Sequence, residues 1–236
     1  MVAWGRAWAC KFLSGRVPPS ACDGLTVQTM PLSELTALLL LSTVTSFTPG
    51  PNTTVSTAMA ANFGLRRAMQ FVCAVPVGWG LLFSLCAAGL GAVVLAVPML
   101  RLAIQGLGVA YLLWLAFKLA STKSLAQADA AALNVGFRQG VLLQFVNIKA
   151  WMLALTVVGG WLAGREDVLA RFAITLPLML AFGFFSNLFY AVLGSMARQW
   201  LSGPLREGLP TGLRLQWFNR LMAALLVLTA LWMLGA

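Results

Sequence analysis

Several residue types and motifs are missing from this chain of 236 residues, which contains no histidine and in which only 9% of residues are charged. Without histidine, the Ser-His-Asp set of the commonest hydrolases cannot form. The four cysteines are not spaced as metal ligands, and Cys73 and Cys86 are 13 residues apart on one predicted helix, about 20 Å and too far for a disulfide. No Gly-rich loop followed by Lys and Ser or Thr occurs, so we expect no direct use of ATP.

Apolar residues dominate what is present. They make up 60% of the sequence, and its mean hydropathy is +0.87, far from the composition of soluble domains. Clusters of charge separate six apolar segments, each about 20 residues or longer, the length that crosses a bilayer as a helix. The segments cover about 35–61, 68–97, 102–120, 140–163, 172–197 and 215–235. We therefore predict an all-α integral membrane protein with six transmembrane helices.

The net charge of +10 comes from basic residues beside these segments. Such a pattern is typical of the positive-inside rule and does not indicate nucleic-acid binding. Nine basic residues fall in connections one, three and five, and three fall in connections two and four. The first set comprises Arg66, Arg67, Lys118, Lys123, Arg138, Arg198, Arg206, Arg214 and Arg220, and the second Arg101, Arg165 and Arg171. The odd connections are therefore predicted to be cytoplasmic and both termini external.

Residues 1–29 disagree with that orientation because Arg6, Lys11 and Arg16 would have to cross the membrane. They also lack the continuous apolar region of a secretory signal. We expect that translation starts at Met30 and that residues 1–29 are a wrongly assigned or disordered extension. Residues 30–236 are then one transmembrane domain.

Two interruptions break apolar segments, at residues 48–52 (Thr-Pro-Gly-Pro-Asn) and at residues 144–149 (Gln-Phe-Val-Asn-Ile-Lys). Pro49, Gly50 and Pro51 free backbone groups at membrane depth, which is tolerated only around a protein-lined cavity. Each interruption is therefore a candidate substrate site. Asn52 is expected at the N-cap of the second half-helix, where nearby N–H groups could accept a carboxylate. The alternative for this segment is a simple proline kink.

The sequence also shows internal symmetry. Residues 107–115 can be aligned with residues 221–229, and a broken helix opens each half of the chain. Three spans per half is an odd number, so the second half must be inverted relative to the first. The predicted repeats cover about 30–120 and about 139–236, an arrangement from which many secondary transporters are built.

Polar residues inside the apolar segments are candidates for substrate binding. Lys149 is the strongest, because an ammonium at membrane depth is costly and a substrate carboxylate would offset that cost. Asn147 could supply an amide beside it, and Gln144 could cap the break or face the cavity. Asn187 could contact substrate or form an interhelical hydrogen bond. For Lys149 the alternative is a side chain that extends to the headgroups.

No Asp, Glu or His falls inside a predicted span, and the nearest is Glu34. Proton-driven transporters commonly use such groups as relays, so proton exchange would have to involve Lys149 or a titrating group of the substrate. The lack of an acidic counter-charge also argues against strongly cationic substrates. These features favour a substrate without a second positive charge.

These residues together resemble the LysE/RhtB amino-acid exporters over nearly all of residues 30–236. The resemblance rests on residues 48–52, Arg66-Arg67, the Gly-Val-Ala-Tyr sequence at 108–111 and the Asn-Ile-Lys-Ala sequence at 147–150. Residues 143–149 and Phe185-Ser186-Asn187 are most similar to the cysteine/O-acetylserine exporter branch. The family usually has proline where this chain has Ile148, so the second break has one helix breaker fewer.

The resemblance implies a secondary exporter in the bacterial cytoplasmic (inner) membrane, driven by proton antiport, without a cofactor and with a homodimer as its assembly. The substrate would be cysteine or O-acetylserine, or alternatively homoserine or threonine. Two other classes stay open from the residues alone. One is a passive channel, and the other is a membrane-embedded enzyme or scaffold, for which Lys149 is the only ionisable candidate at membrane depth.

Overall fold

The structure, a computed structural model, describes residues 30–122, 135–202, 205–206, 209–210 and 213–234. The predicted extension over residues 1–29 lies outside the described residues. The described chain is helical apart from one short antiparallel hairpin. Its elements are α1 (Leu32–Phe47), α2 (Pro51–Phe63), α3 (Leu65–Ala87), α4 (Leu90–Ala96), α5 (Pro98–Ser121), α6 (Phe137–Val146), α7 (Ile148–Val157), a π-helix (Val158–Leu162), α8 (Val168–Ser202), β1 (Leu205–Arg206), β2 (Leu209–Pro210) and α9 (Leu213–Leu234).

Four helices of the described chain, α3, α5, α8 and α9, are long and apolar enough to cross a membrane. A fifth candidate span joins α6 to α7 and the π-helix, which are bent by 68° relative to each other. The shorter helix α1 is apolar and has 16 residues. The predicted class, a helical membrane protein, is therefore confirmed, and the arrangement of six helices in inverted repeats stays a prediction.

The first predicted break is present between α1 and α2. Pro51 occupies the first helical position of α2, where its missing N–H costs nothing. Gly50 precedes it as the N-cap in an extended conformation, with φ −167° and ψ −172°. The prediction that Asn52 is the N-cap is wrong: proline is pre-organised for the start of a helix, so the N-cap lies two residues earlier, at Gly50, and Asn52 lies inside the first turn of α2.

The second break is also present, although no proline causes it. Asn147 separates α6 from α7 in an extended conformation, with φ −90° and ψ 101°. Its Oδ1 accepts a hydrogen bond from the Lys149 N–H at 3.2 Å. Asparagine favours such N-cap positions because its side chain replaces a backbone partner. The cap therefore supplies the interruption that proline supplies in the first break.

The second predicted span is shorter than expected. One helix was expected over about residues 68–97, but α3 ends at Ala87 and α4 is a separate short helix. Gly89 between them has φ 105°, a conformation that glycine adopts without strain. Gly91 packs within the chain, since a Cβ there would lie 2.5 Å from Leu155 Cδ2. Apolar residues continue through this turn, so hydropathy gives no sign of it.

Close helix contacts rely on glycine. The 35-residue helix α8 packs along α2, and a Cβ at Gly194 would lie 2.3 Å from the Thr57 carbonyl oxygen. In α3, a Cβ at Gly78 would lie 2.6 Å from the Val141 carbonyl oxygen of α6. These distances are too short for any side chain, so glycine permits the backbones to approach.

Two polar clusters join the helix ends. At the start of α1, Glu34 forms ion pairs with Arg171 of α8 and, at 3.4 Å, with Arg165. Arg171 is buried and also bonds Asp167 at 2.8 Å. At the end of α2, Asn62 exchanges side-chain hydrogen bonds of 2.8 Å and 3.1 Å with Asn219 of α9.

Candidate substrate site

The structure brings the two breaks into contact. Asn52 of α2 and Gln144 of α6 exchange amide hydrogen bonds, with Asn52 Nδ2 2.8 Å from Gln144 Oε1 and Gln144 Nε2 3.1 Å from Asn52 Oδ1. Lys149 of α7 completes the junction, because its Nζ donates to the Thr48 carbonyl at 2.8 Å. Side chains from one break therefore bond to groups of the other.

The carboxyl end of α1 carries carbonyl groups that lack their usual helical donors. Pro49 and Pro51 have no N–H, so the carbonyls of Thr45 and Phe47 cannot be bonded from four residues ahead. Tyr190 Oη of α8 donates to the Phe47 carbonyl at 2.9 Å. The Gly50 N–H donates instead to Thr53 Oγ1 at 2.9 Å, which leaves the Ser46 carbonyl without its helical partner. This end of α1 therefore has partial negative charge.

A cavity of about 70 Å³ lies beside this junction. Its walls come from α1, α2, α3, α7 and α8 together with both breaks. The lining residues are Thr45, Ser46, Thr48, Gly50, Pro51, Asn52, Thr53, Val75, Pro76, Trp79, Asn147, Lys149, Ala150, Leu153, Met179, Gly183, Ser186 and Asn187.

Lys149 is the one charged residue among those that line the cavity. It is half-buried in the first turn of α7, and its ammonium uses one of three N–H donors on Thr48. Gly50 leaves room for it, since a Cβ there would lie 3.3 Å from both Lys149 Cδ and Nζ. In this geometry the side chain points to the first break, rather than extending to headgroups as in the alternative interpretation.

The structure places six of the eight predicted site residues around this cavity: Gly50, Pro51, Asn52, Asn147, Lys149 and Asn187. Pro49 is exposed and lines a larger, neighbouring cavity of about 320 Å³, which shares Thr48, Gly50 and Lys149 with the first. Gln144 is fully buried and is not among the lining residues of either cavity. Its amide instead joins the two breaks.

Asn187 has protein partners for both polar atoms of its amide. Its Oδ1 accepts from Ser56 Oγ at 2.9 Å, and its Nδ2 donates to the Gly183 carbonyl at 2.8 Å. The interhelical hydrogen bond that the sequence left as an alternative is therefore present. Asn187 also lines the cavity, so it shapes the wall while holding α8 to α2.

Sequence reasoning missed several lining residues, including Thr45, Ser46 and Trp79. Thr45 could have been found, because it precedes Pro49 by four residues and so loses its carbonyl partner. Nothing in the local sequence distinguishes Trp79 from a packing residue of an apolar helix. Among the described residues, no group of three or more His, Cys, Asp or Glu side chains is placed to hold a metal ion.

Comparison with known proteins assigns the chain to a family. The family described as LysE type translocator matches residues 43–235. A cysteine/O-acetylserine efflux protein of Klebsiella pneumoniae is 31% identical over 199 residues, which cover 83% of this chain and 94% of that protein. Proteins of the same name from Salmonella choleraesuis and Escherichia coli K12 are 29% and 25% identical, each over 69% of this chain and 83% of the relative.

No solved structure matches the chain. The family match nevertheless covers most of the sequence, including both breaks and every residue that lines the cavity. It also agrees with the apolar helices of the structure. The protein is therefore a member of the LysE family, a multi-pass transporter of the inner membrane and not an enzyme.

Proposed function

We propose that this protein exports small neutral amino acids by secondary active transport coupled to proton entry. The observation that carries the proposal is the position of Lys149, whose ammonium lies between the two helix breaks and lines a small cavity. A charged group at such a place in an apolar bundle favours binding of an opposite charge.

The junction offers separate partners for the two charges of an amino acid. The substrate carboxylate would bind the two N–H donors of Lys149 that Thr48 does not use, near the amino ends of α2 and α7. The substrate ammonium would bind the carbonyls of Thr45 and Ser46 at the carboxyl end of α1. The helix break is then a dipolar site that matches a zwitterion.

The lining also suggests which side chains are accepted. A volume of about 70 Å³ suits a small side chain, and the lining includes no carboxylate to pair with a second cationic group. Lysine and arginine should therefore be poor substrates. Relatives named as cysteine/O-acetylserine efflux proteins fit this choice, and we propose substrates of that size for this chain.

Lys149 is also the candidate for proton coupling, because no Asp, Glu or His lines the cavity. Antiport requires that proton and substrate occupy the site in turn, so that a proton taken up from outside would accompany the empty site inward and would be given up inside as the next substrate binds. Alternatively, a titrating group of the substrate itself could couple export to proton entry.

For the architecture, we infer six spans in two inverted repeats, with α1 and α2 forming the first broken span and α6 and α7 the fourth. Contact between the two breaks supports this arrangement, since inverted-repeat transporters bind substrate where their broken helices meet. Single cysteines at Lys123 and Arg165 should be labelled from opposite sides of the membrane. Labelling of both from one side would contradict the topology. The homodimer stays a prediction.

The function is tested with purified protein in liposomes loaded with one amino acid each. Cysteine, O-acetylserine, homoserine, threonine and lysine form the panel, and efflux is measured with and without an inward proton gradient. We expect gradient-stimulated efflux of the small neutral compounds and none of lysine. Efflux of none of the panel would contradict amino-acid export. Flux that never exceeds equilibration and ignores the gradient would instead indicate a passive channel.

A further inference from the structure

Trp79 of α3 has an unusual environment. It lines the cavity beside the two breaks, and only 7% of its surface is exposed. Its ring stacks on Phe83 with centroids 5.0 Å apart, and Phe83 stacks on Phe172 at 5.5 Å. Within the described part of the chain, the buried Nε1–H has no hydrogen-bond partner. The ring is therefore fixed while its one polar group is left unpaired.

Two other tryptophans near this region are satisfied by the protein. Trp151 Nε1 donates to the Phe145 carbonyl at 2.8 Å, and Trp161 Nε1 donates to the Glu34 carbonyl at 3.0 Å. The fold thus supplies acceptors where the indole has a structural role. An unpaired buried donor is costly and needs an explanation, and a cavity residue finds its acceptor most simply in a ligand.

We propose that Trp79 Nε1–H donates a hydrogen bond to an acceptor oxygen in the substrate side chain, and so sets which amino acids are preferred. This inference rests on the proposed function. The carboxylate is already assigned to Lys149, and the substrate ammonium has no lone pair to accept with. The remaining acceptor is a side-chain hydroxyl or ester carbonyl. A thiol is a weaker acceptor, so oxygen-bearing substrates should be favoured over cysteine.

The first test leaves the protein unchanged and varies the ligand. Homoserine and norvaline have the same size and differ by a hydroxyl in place of a methyl group. Each competes with efflux of a labelled substrate from proteoliposomes. The proposal expects homoserine to inhibit at a concentration roughly 5- to 10-fold lower than norvaline, the range of one neutral hydrogen bond. Equal inhibition by both would overturn it.

The second test uses Trp79→Phe, which retains an aromatic ring against Phe83 and removes the N–H. The preference for homoserine over norvaline should disappear, so that both compounds inhibit at about the same concentration. The affinity for norvaline should change little. Without ligand, Trp79→Phe should lower the melting temperature less than Trp151→Phe does, because both variants lose part of a buried ring but only Trp151→Phe leaves an acceptor without its donor.

Trp151→Phe is the matched control, because it also removes a buried indole N–H but leaves the Phe145 carbonyl without its donor. It should lower the melting temperature and preserve the ligand preference. If the preference survives in Trp79→Phe, the inference is overturned. The result would indicate that a water molecule, and not the substrate, accepts the hydrogen bond from the Trp79 Nε1–H. If the wild-type protein exports no amino acid of the panel, the proposed function fails instead, and the two failures are thereby distinguished.

Discussion

The two halves of the first broken helix differ in how the protein holds them. In α1, only Leu38 and Ser42 of 16 residues are buried, whereas Leu32 and Leu40 are exposed to the surroundings. In α2, ten of 13 residues are buried, although their composition is far less apolar. Small residues account for this difference, because alanine, serine and threonine let α3, α8 and α9 approach α2 closely.

Helix α1 is held by leucines, with Leu38 buried in an apolar cluster and Leu35 and Leu41 packed against it, and by polar contacts. The polar contacts of α1 begin with the ion pair of Glu34, and Ser42 Oγ donates to Met179 Sδ at 3.0 Å. Beyond them, the Phe47 carbonyl accepts from Tyr190 and the Thr48 carbonyl accepts from Lys149. Helix α2 is held by backbone contact at Gly194 and by the Asn62–Asn219 pair. Local stability follows packing, so we infer that α2 is the fixed platform and α1 the element that moves during transport.

The largest effect is expected where α2 meets α8. Gly194→Ala places a Cβ 2.3 Å from the Thr57 carbonyl oxygen, so the two helices must separate. We expect a loss of about 1–3 kcal/mol in the free energy of unfolding, as for other overpacked sites. The measurement is the unfolding of purified protein followed by tryptophan fluorescence.

Gly106→Ala of α5 serves as the control, because a Cβ at Gly106 would meet nothing within 4 Å. It should be neutral or stabilising by up to about 1 kcal/mol, the helix propensity difference. Equal stability of the two variants would show that the α2–α8 contact is not tight.

Loss of the amide pair at the end of α2 should have an effect of similar size. Asn62→Leu leaves the buried Asn219 without its main partner, which costs about 1–3 kcal/mol. The double variant Asn62→Leu, Asn219→Leu should recover part of that loss, since no amide is then left unpaired by the change. Additive losses in the double variant would mean that the two amides act independently.

Among these variants, loss of the Glu34 ion pair in α1 should lower the stability of the protein least and increase the mobility of α1 most. Glu34→Gln removes the charge that pairs with Arg171, but the amide oxygen can still accept from Arg171 and Arg171 keeps Asp167, so the loss should be about 1 kcal/mol. Hydrogen exchange measured by mass spectrometry should accelerate in α1 and stay unchanged in α2. Equal acceleration in both halves would contradict the division into a mobile and a fixed half.

Local rules allowed the sequence to predict both breaks. Prolines at 49 and 51 remove backbone donors wherever they occur, and Lys149 in an apolar segment indicates function for a similar reason. The place of Asn52 at the start of α2 was predicted wrongly, because Asn52 and Pro51 both suit a helix start and proline takes the first helical position. The second break needed Asn147 rather than the proline that its family usually has.

Features that depend on distant residues could not be predicted. The reciprocal bond between Asn52 and Gln144 joins residues 92 positions apart, and the unpaired indole of Trp79 is defined by neighbours from other helices. The end of α3 at Ala87 escaped prediction because a glycine turn interrupts an apolar run without changing its hydropathy. These features depend on which residues lie next to each other in the folded chain, and the composition of a segment does not reveal that.

The central claim, that substrate binds Lys149 where the two breaks meet, is tested most directly by the initial rate of amino-acid efflux from proteoliposomes containing Lys149→Met. Lys118→Met at the end of α5 is the control, because it removes the same charge outside the cavity. We predict that Lys149→Met lowers the rate by about tenfold or more, the effect of losing a charged hydrogen bond, and that Lys118→Met retains it. A rate for Lys149→Met equal to that of the wild type would contradict the account.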